Sequence, residues 1–254
     1  MKTLAGLILG GMLIGAMVIF FAPATLVDAT LAQRTQGEVR VANARGTVWA
    51  GEGELALSRG RLRLPVRWTT DPLSVIHGPI IVALRSRETT VEGSRAVLEL
   101  ANDRVVMRNV IIAVPASSLA HAAQALPYEA GGVVTVRAEH VAIAATEANG
   151  QLVAEWRNAR LALPSIATID LGTLTARLAA QGKALTGPVS SQGGQVEVNG
   201  TASVGAGHVV IDLRARARPD TPPSLREALK ALGPADANGA HALRIDRVSR
   251  HRDP

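Results

Sequence analysis

Cysteine is absent from this 254-residue sequence, lysine occurs three times, and aromatic residues make up only 2% of it. Without thiols there can be no disulfide staple, thiolate zinc site, iron–sulfur cluster or cysteine nucleophile. The scarcity of aromatics removes the stacking platforms on which single-stranded nucleic acid is held. The net charge of +6 comes almost entirely from arginines. They are scattered among acidic residues without a basic run, which reads as a solvated strand face rather than a nucleic-acid footprint. No nucleic-acid partner is expected. Catalytic signatures are missing too: there is no G-x-S-x-G, H-E-x-x-H or G-x-x-x-x-G-K-[ST] segment. The six histidines (77, 121, 140, 208, 241 and 251) do not pair at metal-ligand spacing. Asp236-Ala237-Asn238-Gly239 stops too soon for a calcium loop and reads as a turn. The sequence therefore implies no enzyme, cofactor or metal site.

What is present starts with an uncharged run, Leu4 to Ala22. Nineteen residues at helical rise span roughly 28 Å, close to the hydrocarbon thickness of a bilayer. The expected partner of residues 4–22 is the lipid bilayer, with a short cytoplasmic start and a large domain on the far side. Gly11 and Gly15 match the G-x-x-x-G spacing of paired spans. A cleaved export signal is the competing reading, with small residues at Ala22-Pro23-Ala24 and Val27-Asp28-Ala29. The run exceeds the usual signal core of about 7–15 residues, which favours the anchor.

Beyond a connector at 24–37, period-2 alternation dominates. In 61–68, Leu62, Leu64, Val66 and Trp68 share one face, and Arg61, Arg63 and Arg67 share the other. Pro65 on the arginine side predicts an edge or a bulge. Ile80, Val82 and Leu84 repeat the pattern, as do Val209, Ile211 and Leu213. Further strands are predicted at 38–42, 46–57, 95–101, 104–113, 132–145, 151–163, 171–180, 194–205 and 240–248. Turn signals stand at Asn102-Asp103, Asn149-Gly150, Gly182-Lys183, Asn199-Gly200 and Asn238-Gly239. Two helices are expected. One runs from Ser117 or Ser118 to Leu126. The other follows the capping box Ser224-Leu225-Arg226-Glu227, carries a Leu225, Leu229 and Leu232 stripe, and is ended by Gly233-Pro234.

The fold class is thus mainly β: a single N-terminal transmembrane helix, then a long, twisted, mostly antiparallel sheet with two short helices packed on it. The domain reading is 1–23 anchor, 24–37 connector, 38–248 β-rich domain and 249–254 flexible tail. Trp49 and Trp156 each follow a glycine-started strand, Gly46-Thr47-Val48-Trp49 and Gly150 to Trp156. That echo suggests two similar sheet segments meeting near 115–131. The three tryptophans are read as core residues, and Gly46, Gly51 and Gly53 as bends or bulges.

Several segments together resemble one family, the type II secretion system protein N, also called general secretion pathway protein N. The N-terminal span before a sheet-rich domain is the first. Gly46-Thr47-Val48-Trp49-Ala50-Gly51 is similar to the family's Gly-Thr-Val/Leu-Trp-x-Gly segment. Trp68-Thr69-Thr70-Asp71-Pro72-Leu73 is similar to its Trp-x-x-x-Pro-x-x-Leu stretch, from which it departs at Thr70-Asp71. Leu232-Gly233-Pro234-Ala235-Asp236-Ala237-Asn238-Gly239 resembles its C-terminal turn. The resemblance implies an accessory inner-membrane component of the machine that exports folded proteins across the outer membrane of Gram-negative bacteria. It implies single-pass anchoring with the large domain in the periplasm. Expected partners are other inner-membrane or periplasmic secretion components. It carries over no catalytic residue. The alternative function is a periplasmic AsmA-like sheet binding lipid or another hydrophobic ligand, and coverage of the apolar sheet face discriminates the two.

Overall fold

The computed structural model describes residues 21–57, 60–72, 80–86, 93–101, 104–122, 129–144, 147–163, 166–205, 208–230 and 233–248. Its contacts divide the chain into two compact units, Met1–Thr89 and Thr90–Pro254. Among the described residues no helix is long and apolar enough to cross a membrane. Of the expected span 4–22, all but the last two residues lie outside the described residues.

The first unit holds α1 (Thr25–Arg34) and strands β1 (Val39–Gly46), β2 (Ala50–Leu57), β3 (Leu62–Thr70) and β4 (Ile80–Ser86). Each strand pairs antiparallel with the next. Side chains on one face close a core of Ala24, Val41 and Trp68, flanked by Val27, Leu31, Leu55, Val66 and Leu84. The β3 alternation appears as the pleat requires, with Leu62 and Trp68 buried and Arg63 and Arg67 exposed. Pro65 lies just beyond Val66↔Ser86, the last described β3–β4 partner pair. Residues 24–37, read as a connector, contain α1. Its Val27 and Leu31, four residues apart, pack on the β1–β3 core.

The second unit holds β5 (Arg95–Leu100), β6 (Arg104–Pro115), α2 (Ala116–Ala122), β7 (Glu129–Ala144), β8 (Ala148–Leu163), β9 (Ile166–Gln181) and β10 (Ala184–Gln192). It continues with β11 (Val196–Gly205), β12 (His208–Ala217), α3 (Pro223–Lys230) and β13 (His241–Val248). Again every strand pairs antiparallel with its neighbours in the chain. Two clusters fill one face. Ala159, Ile169, Leu171, Val196, Val198 and Ala215 lie under Leu225 and Leu229 of α3. Val141, Leu178, Leu185, Val189 and Ala202 form the other.

Three asparagines mark where the strands bend. Asn43, Asn109 and Asn158 have φ of 55°, 50° and 50°. Each sits at a break in register: β1 on β2 between Ala42 and Arg45, β6 opposite the β5 break at Arg95/Val97, and β8 on β9 between Trp156 and Ala159. Asparagine tolerates the left-handed region, and an extra residue there increases local twist.

The structure corrects some sequence expectations. Asn199-Gly200 is not a hairpin turn, because β11 runs straight through it. Gly200 pairs Val189 on one side and Leu213 on the other. A Cβ on it would lie 2.8 Å from the Leu213 Cα and closer still to the Asp212 carbonyl. The glycine thus serves close strand approach, not reversal. Asn149-Gly150 likewise lies inside β8, whereas Gly182-Lys183 turns the chain from β9 into β10, a strand that the sequence expectations omit. Asn102-Asp103 lies outside the described residues. α3 starts at Pro223, ahead of the expected capping box, because proline is pre-set for the first helical turn. The described part of the other helix is Ala116–Ala122, and Leu126 and Leu232 fall outside the described residues.

Candidate functional site

Among the described residues, the motif residues other than Trp156 gather into two structural sites, one in each unit. In the first unit the β1–β2 turn, Gly46-Thr47-Val48-Trp49, receives the chain arriving from the N-terminal apolar run. Pro23 bridges Thr47, the Ala24 N–H donates to Gly46 O at 3.0 Å, and the Val48 N–H donates to Ala22 O at 3.0 Å. Gly46, at φ 92°, makes the reversal possible. Thr47 closes the turn: its N–H reaches Ala50 O at 2.9 Å and its Oγ1 accepts from the Ala50 N–H at 3.1 Å. Trp68, 4% exposed, donates its indole N–H to Thr47 O at 3.3 Å. Its ring lies over Gly51, its direct cross-strand partner, where any Cβ would strike the indole. Trp49 is half-buried beside this turn, and its carbonyl accepts the Thr70 N–H at 2.7 Å. Pro72 is exposed after β3.

The helix that follows is pinned by a carboxylate. Asp28 accepts from Arg40 Nε and Nη2 at 3.2 and 2.6 Å and from the Val41 N–H at 2.9 Å. The Arg40 guanidinium, and then the Val41 N–H, hold the Asp28 carboxyl below the usual carboxylate range, against an opposing push from burial. Sequence reading gave Asp28 no role. Its signal is position: an acid in the first turn of a helix whose Val27 and Leu31 face inward.

In the second unit the C-terminal turn sets the start of β13. Asp236 Oδ1 accepts from the Asn238 and Ala240 N–H groups at 2.8 and 3.0 Å. The Gly239 N–H donates to Asp236 O at 2.9 Å, and Ala235 bridges His241. The Ala240 and Asn238 N–H groups hold the Asp236 carboxyl below its ordinary value. Gly233 O accepts from Nδ1 of His241, a buried ring that sequence reading treated only as one of six scattered histidines, at 2.8 Å. Trp156 lies in mid-strand and donates its indole N–H to Gly131 O at 2.8 Å. In this it parallels Trp68, not Trp49, so the sequence echo joins the wrong pair. Beyond β12 in this unit, β13 has no strand on its outer side among the described residues.

The oily face is occupied by the protein itself. Val141, Leu178, Leu185, Val196, Leu225 and Leu229 are each under 9% exposed. A sheet cradling a hydrophobic guest gains no support from that arrangement. A depression of about 790 Å³ lies among β5–β8, lined by Arg95, Arg137, Ala138, Glu139, Leu152 and Val153 among others. Arg137 there is paired with Glu155 at 3.3 Å. Among the described residues no group of three or more His, Asp or Glu side chains is arranged to hold a metal ion.

Both structural sites thus shape turns and strand starts. No curated protein and no solved structure matches the chain. The profile described as "Type II secretion system (T2SS), protein N" matches residues 37–244, from the foot of β1 into β13. The chain belongs to the type II secretion system protein N family and is a component of that secretion machinery.

Proposed function

We propose that the chain is an accessory, non-enzymatic scaffold of the type II machinery, moored in the inner membrane by residues 4–22, with its β-rich units in the periplasm. Its work is positional: it holds other secretion components near the membrane and so supports export of folded proteins across the outer membrane. The observation that carries the mooring is the ladder of Ala22–Ala24 on Gly46–Val48. Ala24 is 1% exposed in the core of the first unit. Cleavage after Ala24 or Ala29 would cut beside a core residue or through α1, which favours a retained anchor over a removed signal.

Docking is assigned to the outer side of β13. An edge strand presents alternate N–H and C=O groups to a partner strand. Arg244 and Asp246 on β13 are exposed and would restrict which strands can add.

Replacing residues 2–20 with a cleavable export signal, which keeps the Ala22–Ala24 ladder, tests the reading. The released domain is expected to fold in the periplasm but to leave secreted proteins stranded there. Undiminished secretion by the released form would overturn the scaffold reading.

A further inference from the structure

We propose that the β1–β2 end of the first unit rests on the bilayer, with Trp49 in the headgroup layer, Phe21 at its hydrocarbon side, and the phosphate of an anionic phospholipid on the exposed guanidinium groups of Arg45 and Arg67 that flank Glu52. The inference rests on the anchor reading and adds to it a lipid-contact site. The chain supplies its own ruler. The proposed span ends at Ala22, where Pro23 interrupts the apolar run, and Ala22 O is itself bonded to the Val48 N–H at 3.0 Å. No spacer separates the end of the run from the turn. Thr47 to Trp49 therefore lie about one strand spacing, roughly 5 Å, from the point where the chain leaves hydrocarbon.

The groups at that level suit an interface. Phe21 is 62% exposed and Leu26 50% exposed. Trp49 sits one residue beyond the Val48 anchor. Tryptophan is enriched where hydrocarbon meets water, and the wholly apolar ring of Phe21 suits the hydrocarbon side of that boundary. Beside them runs a cross-strand row, Arg45↔Glu52↔Arg67↔Arg85. It sets three cations against one carboxylate, whose pairing with Arg67 is at 3.2 Å. The row therefore carries net positive charge, and its three arginines are exposed. A notch of about 370 Å³ at this end is lined by Arg45, Gly46, Glu52, Arg67 and Thr69 among others. Guanidinium groups bind phosphate oxygens in forked geometry. Charge complementarity and the exit point of the run select the phospholipid of the same bilayer as occupant.

The full chain, reconstituted into phosphatidylcholine–phosphatidylglycerol vesicles brominated near the headgroup end of their acyl chains, tests this by tryptophan fluorescence. Quenching of the wild type is expected; Trp49→Phe should lose most of it, whereas Trp156→Phe should keep it, and Trp68 is buried. The double variant Arg45→Glu/Arg67→Glu, which retains all three tryptophans, should lose the dependence of quenching on phosphatidylglycerol. Equal quenching of wild type and Trp49→Phe in chains that resist alkaline carbonate extraction would overturn this proposal and leave the anchor standing. Release of the wild type by carbonate would overturn the anchor reading, and this proposal with it.

Discussion

At the scale of single residues, two carboxylates, Asp28 and Asp236, hold the entry to a strand through backbone N–H groups. Asp28 ties α1 to β1 through Arg40 and the Val41 N–H. Its folded pKa is depressed. The stability it contributes is therefore complete above the unfolded value of about 3.9, and it is lost as pH falls through the folded value. In Asp28→Asn, which has no charge to lose, denaturant titrations followed by Trp68 fluorescence should show lower stability at neutral pH and a flatter decline below about pH 4. An unchanged acid limb would remove Asp28 from this role. The three bulge asparagines belong to the same scale. Asn43, Asn109 and Asn158 were written in the sequence as polar residues inside apolar alternation, and the sequence reading passed over them. The alternation rule reads which face a residue takes and has no term for φ, so left-handed positions within strands stay hidden.

At the scale of elements, the periodic ones were legible and the contextual ones were not. The Leu/Arg alternation of β3 and the leucine stripe of α3 could be read because burial repeats at the period of the element. The segment 184–192 has no such stripe. Its Gly187, Pro188, Ser190 and Ser191 look like loop, and β9 and β11 on either side recruit it as β10. Asn199-Gly200 misled in the opposite direction, since a glycine that reverses a chain and one that admits a neighbouring backbone have the same letter. In the site, Trp68 was legible as a core residue and Gly46 as a bend, but their further duty of seating the incoming chain was not. That duty depends on residues 22–24 returning to pair with the turn, a contact that spacing cannot show. The value of α3 can be measured. Leu229 is 7% exposed over Ala159, Val196 and Ala215. Leu229→Ala should cost about 2–5 kcal/mol, seen as a lower midpoint in urea. A change under about 0.5 kcal/mol would mean that α3 is not a lid on that cluster.

At the scale of the whole molecule, what stands out is that among the described residues no strand within either unit pairs with anything but its neighbours in sequence. Each unit is close to a one-dimensional ladder, whose stability sums over adjacent interfaces. Deleting residues 233–254 should therefore leave the strand signal of β5–β12 in far-ultraviolet circular dichroism, with a lowered melting temperature because Leu213 and Ala215 lose their β13 partners. Loss of the strand signal altogether would show that the ladder is not built from neighbours alone. The same wiring bears on biogenesis. A polypeptide threaded through a translocation pore one end first can lay down each ribbon against the one already delivered, with no stretch left waiting for a distant mate. The Asp236–Ala240 turn is then the last corner among the described residues, and the ribbon it delivers is the one to which the proposed docking is assigned.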